Sequence, residues 1–245
     1  MDSKKIEALT RLIQSSESIV FLGGAGTSTE CGIPDFRSPE GLYNRELKGP
    51  SPEEYLSLDF FKRKTDVFYD YYKRLLLHPE ARPGVLHHAL RELEAHGKEI
   101  TIITQNIDGL HQMAGSKRVI ELHGSSHRNY CQSCRRTYSL EAVLKQRGVP
   151  HCDCGGVIRP DVVLYGEMLD EKVLEAATRA MTKADLLIVG GTSLSVYPAA
   201  GLIHYYQGGD MVIINQTPTQ FDREASLIFR EKISEVIKKG VSFHG

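Results

Sequence analysis

Four of the five cysteines form two close pairs, Cys131-x2-Cys134 and Cys152-x-Cys154. Four thiolates so spaced close a tetrahedral shell around one zinc ion and leave no place for water, which makes such a site structural rather than catalytic. His151 and Asp153 flank the tighter second pair and are the less plausible alternative ligands. Just upstream, His123 ends the apolar run Val119–Leu122 and precedes Gly124. An imidazole there suits a general base, because its unperturbed pKa is about 6.5. A lone histidine is more often structural, so its place at a strand end carries the reading.

Other polar clusters also follow apolar runs. Gly24-Ala25-Gly26 comes after Ser18–Leu22 and before Thr27-Ser28-Thr29. Amides at such a turn and at a following helix N-terminus favour a pyrophosphate. Gly32 is misplaced for a full dinucleotide fingerprint, so a tight structural turn explains the glycines equally well. Gln105, Asn106 and Asp108 follow Glu99–Thr104 and offer amide and carboxylate groups for a carboxamide or ribose hydroxyls. Helix capping is the competing explanation. Gly191-Thr192-Ser193 and Asn215 follow two later runs. Asp35-Phe36-Arg37 offers an ordinary loop ion pair, or a flat ring that covers a reacting face.

These clusters need strands to align them. Apolar runs at 18–22, 99–104, 118–122, 161–165, 185–189, 211–214 and 226–229 read as strands. Helical patterns at the N-terminus, 59–77, 83–97 and 170–182 lie between them. The alternation predicts an α/β fold: a Rossmann-like parallel sheet with helices on both faces. Two insertions break it, a Tyr/Phe-rich helical one after the first glycine turn and the cysteine region. The expected division is a large domain of 1–37, 83–123 and 161–245, and a small domain of 38–82 and 124–160.

With 245 residues, 41% apolar and a formal charge of −1, the chain reads as an ordinary globular protein without dedicated nucleic-acid binding. No run approaches 18 apolar residues, so no membrane span is expected. The N-terminus lacks a signal peptide's apolar core, and the cysteine spacing favours metal over disulfides. A cytoplasmic location is the expectation.

Assembled in order, these motifs resemble the sirtuins, NAD-dependent protein deacylases, in the bare catalytic-core form typical of bacterial members. The matching segments are Gly24–Thr29, Gly32–Arg37, Thr104–His111, Glu121–Gly124, the four cysteines, Arg159–Val163, Gly166-Glu167, Gly191–Ser193 and Asn215. The resemblance implies NAD as co-substrate, one structural zinc per chain and acyl-lysine proteins or peptides as partners. It implies NAD contacts from Ala25, Gly26, Thr29, Asp35, Phe36, Arg37, Gln105, Ile107, Asp108, His123, Thr192, Ser193 and Asn215. His123 would be the base and Asn106 would help order the ribose. The peptide would lie as a strand between Val163, Tyr165, Gly166 and Glu167 on one side and Ser195 and Val196 on the other. The products would be nicotinamide, O-acyl-ADP-ribose and free lysine, an acyl transfer to ADP-ribose. The alternatives are protein ADP-ribosylation at the same NAD site and a deacylase that prefers non-acetyl acyl groups.

Three positions depart from the family's common residues: Cys31 for serine, Tyr165 for phenylalanine and Ser195 for valine. Sirtuins that prefer succinyl or malonyl groups carry Tyr-x-x-Arg in the inserted helix. Here Tyr69 is followed by Tyr72 at the arginine position, and only Tyr71 and Arg74 keep the spacing in a shifted register. That favours acetyl over acidic acyl groups.

Overall fold

The computed structural model describes residues 2–44 and 49–241, so parts of the ranges 38–82 and 161–245 lie outside the described residues. Six parallel strands form the main sheet: β1 (Ser18–Gly23), β2 (Glu99–Thr104), β3 (Val119–Glu121), β7 (Leu186–Gly190), β8 (Asp210–Ile214) and β9 (Leu227–Phe229). Their order is β3-β2-β1-β7-β8-β9. Neighbours of β1 fan out in opposite directions, which puts a topological switch between β1 and β7 and opens a crevice at their C-terminal ends.

Successive strand residues point to opposite faces. Ile19 and Phe21 join a core with Leu9, Leu86 and Val236, from helices α1 (Ser3–Ser15), α5 (Val85–Ala95) and α9 (Ile233–Gly240). Val20 and Leu22 face the other core, with Ala177 and Met181 of α8 (Glu171–Lys183) and Leu202. Both faces are therefore covered, as a sheet of continuous apolar runs requires. Asp170 starts α8 by accepting the Lys172 and Val173 N–H groups.

The small sheet is antiparallel, β5-β4-β6, with β4 at Gly124–Cys131, β5 at Thr137–Ser139 and β6 at Ile158–Val162. This corrects the strand expected at 161–165: it begins earlier, crosses residue 160 and pairs with β4. The chain then turns away, because Glu167 accepts hydrogen bonds from both Arg159 and the Leu164 N–H. The segment 59–77 is likewise two helices, α3 (Leu58–Arg63) and α4 (Thr65–Leu75), broken at Lys64 (φ −139°, ψ 50°). Short helices α2 (Pro52–Tyr55), α6 (Leu110–Met113) and α7 (Leu140–Leu144) complete the set. Leu56, Phe61, Phe68 and Tyr72 pack with Leu140, Val162 and Leu164, so the helical insertion and the small sheet share one core.

Candidate active site

The two glycine turns meet backbone to backbone at the switch point. The Gly26 N–H donates to the Gly191 carbonyl at 2.8 Å. A Cβ on Gly26 would stand 2.8 Å from Gly191 Cα, and Gly191, at φ +59°, leaves 2.5 Å to the Thr27 nitrogen. Only glycine allows this approach. No long helix follows the first turn; the chain makes 3-10 turns at Ala25–Thr27 and Thr29–Cys31 instead.

The end of β2 is tied across this floor. Gln105 Nε2 donates to Thr192 Oγ1 at 3.1 Å, bridging β2 to the turn after β7. Asn106 Nδ2 donates to Thr27 Oγ1 at 3.0 Å and Ser28 Oγ at 3.1 Å. Ser28 Oγ in turn donates to Asp108 Oδ2 at 2.7 Å, while Asp108 Oδ1 accepts the Leu110 N–H at 2.9 Å. Asp108 therefore caps α6 and also faces the polar floor. Ser28 belongs to the matched glycine motif, yet its link to Asp108 was not legible there.

His123 lies beside this network. Its Nδ1 is 2.9 Å from the Gln105 carbonyl, and its own carbonyl accepts the Val163 N–H at 3.0 Å. A carbonyl only accepts, so Nδ1 carries the proton and Nε2 keeps its lone pair. Burial holds the His123 pKa below its ordinary value, and the Gln105 hydrogen bond only partly opposes this. Burial and the tautomer both favour the neutral imidazole with a free Nε2. Gly124, at φ +75°, follows it; a Cβ there would lie 2.0 Å from the Asp161 carbonyl oxygen. Arg128 joins the adjoining strands, bonding Glu121 at 2.6 Å and Asp161 at 2.9 Å.

The remaining predicted residues make mostly local contacts. Asp35 Oδ1 accepts the Ser38 N–H, and no Asp35–Arg37 ion pair forms among the described residues. Phe36 is half-buried near Tyr43, over whose ring Arg37 stands at 5.4 Å. Thr29 Oγ1 donates to the Gly26 carbonyl, and Asn215 Nδ2 to the Thr217 carbonyl. Ser193 and Ser195 join their hydroxyls at 2.8 Å, next to half-buried Val196. Tyr165 exchanges backbone hydrogen bonds with Leu56 and Leu58, and Gly166 is exposed. The Glu167 carboxylate turns inward to Arg159 rather than outward. Cys31 is half-buried with Sγ 3.9 Å from His87 Nδ1. Burial and the nearby Glu30 push its thiol up to about 11, so it stays protonated and unreactive.

The four cysteine sulfurs lie within 4.8 Å of one another, with Cys131–Cys154 and Cys134–Cys152 at 3.5 Å. Zinc–sulfur bonds of about 2.3 Å in a tetrahedron put sulfurs about 3.8 Å apart, so the set fits zinc with no other ligand. His151 instead bonds the Val149 carbonyl, and Asp153 pairs with Arg136.

A family model described as the Sir2 family matches residues 24–198. The chain belongs to the Sir2 family. An NAD-dependent protein deacetylase of Clostridium perfringens is 52% identical over 96% of this chain and 98% of its own length. One of Cutibacterium acnes is 51% identical over 94% and 95%. Among solved structures, a Sir2–p53 peptide–NAD+ complex superposes with a TM-score of 0.84 at 39% identity, covering 98% of this chain and 97% of that one. Sir2Tm bound to a propionylated peptide gives the same TM-score and identity over 97% and 100%. The Sir2 match spans both glycine turns, the β2 end, His123 and all four cysteines.

Proposed function

We propose that this Sir2 protein is an NAD-dependent protein-lysine deacetylase. The observation that carries this reading is the His123 imidazole, fixed as a neutral base by the Gln105 carbonyl at the end of a floor built from Ser28, Asn106 and Asp108. The family relatives named NAD-dependent protein deacetylase support it.

On this reading the glycine turns receive the NAD pyrophosphate, and Ala25, Gly26, Thr29, Asp35, Phe36 and Arg37 line its path. Thr192, Ser193 and Asn215 hold the adenosine half. NAD supplies, when bound, an electrophilic ribose carbon and a leaving nicotinamide. Ile107 and Asp108 orient the carboxamide, Asn106 orders the ribose, and His123 Nε2 takes a proton from a ribose hydroxyl. Phe36 excludes water. The four cysteines hold zinc outside the chemistry. An acyl-lysine peptide lies between 163–167 and Ser195–Val196, through exposed backbone rather than the Glu167 carboxylate. Segments 1–37, 83–123 and 161–245 then form the NAD-binding body, and 38–82 with 124–160 the small domain. The setting is cytoplasmic, where thiolates stay reduced.

His123→Ala should lower turnover of an acetyl-lysine peptide by about 10²–10⁴-fold, the usual worth of a general base. NAD binding, followed calorimetrically, should change little. Retained turnover sinks the base assignment.

A further inference from the structure

The start of β4 reaches outside its own sheet. Ser125 pairs with Asp161, and the next pair is Asn129 with Pro160, so residues 126–128 bulge away from β6, although Arg128 still pairs with Ser139 of β5. Bulges re-aim side chains, and this one aims them at the loop after β2. The Ser126 N–H and Oγ both donate to the Ile107 carbonyl, at 3.0 and 2.8 Å. His127 Nε2 lies 2.9 Å from the Asp108 carbonyl and so carries the proton it donates. The His127 ring also lies against Gly109: a Cβ there would be 2.8 Å from its Cδ2. The backbone of 107–109 is thus gripped from the small sheet, while the Asp108 side chain is gripped by Ser28 from below.

We propose that Ser126 and His127 are positioning residues that set the nicotinamide end of the cleft, tying its geometry to the zinc-stapled sheet. Neither touches the dinucleotide. They fix the two residues that the proposed function assigns to the carboxamide, and the inference rests on that assignment. His127 is exposed, so its replacement need not disturb a core.

The test compares ligands with and without nicotinamide. Calorimetric titration of the zinc-loaded protein with NAD and with ADP-ribose should show His127→Phe weakening NAD about fivefold, the worth of one hydrogen bond. ADP-ribose should bind within about twofold of wild type. Nicotinamide should inhibit the variant's deacetylation less strongly by a similar factor. His127→Gln, whose amide can still donate, should restore NAD binding. Ser126→Ala should act in the same direction but less, since its N–H remains. Equal loss of both ligands, or unchanged NAD affinity in His127→Phe, overturns the proposal. A wild-type protein that binds neither ligand overturns the NAD reading and this inference together.

Discussion

At the scale of single residues, the chemistry depends on which histidine nitrogen is free. His123 spends Nδ1 on the Gln105 carbonyl, and burial keeps its pKa below the ordinary 6.5. The active form is the unprotonated one, so kcat/KM should be level at and above neutral pH and fall only as pH drops through the depressed value. A pH–rate profile checks this; an acid limb above pH 6.5 would mean that another group titrates. His123 was legible from its place after an apolar run. Ser126 and His127 were not, because they act across the fold on a loop distant in sequence.

At the scale of elements, the small sheet is held by a staple and a shared core. Cys131 is fully buried and supplies one of the four clustered sulfurs. Cys131→Ala should therefore lose the zinc and expose 124–162 to proteolysis. Metal analysis and limited digestion check this, and a variant keeping one zinc and its protease resistance would refute the four-cysteine site. Helix α4 makes the acyl prediction. Tyr69 Oη donates to the Ile158 carbonyl, Tyr71 stacks on Tyr55 at 4.3 Å, and Arg74 pairs with Asp70 on an exposed face. With these side chains so engaged, acetyl and propionyl peptides should be turned over at least about tenfold faster than a succinyl peptide, the loss of one charge-assisted pair being of that size. A peptide panel measured as kcat/KM tests it. The long parallel strands were legible because each is a continuous apolar run. The small sheet was not: β4 buries Ser125, Ser126 and Asn129, so apolar alternation is missing. The break at Lys64 was equally hidden, since apolar residues continue on both sides of it.

At the scale of the molecule, the strand order brings the turns after β1, β2 and β7 to one edge of the main sheet, and the two insertions share one core. The motif residues from widely spaced segments meet there because strands β1, β2 and β7 end side by side. Among the described residues no helix is long and apolar enough to cross a membrane. Transfer of an acyl group from lysine to ADP-ribose, at the expense of NAD, is the reaction proposed for this cleft. It is tested most directly by incubating the zinc-loaded protein with NAD and an acetyl-lysine peptide and resolving every product by mass. Nicotinamide, deacetylated peptide and O-acetyl-ADP-ribose should form in equal amounts. ADP-ribose attached to protein without loss of acetyl, or nicotinamide release without deacetylated peptide, would contradict it.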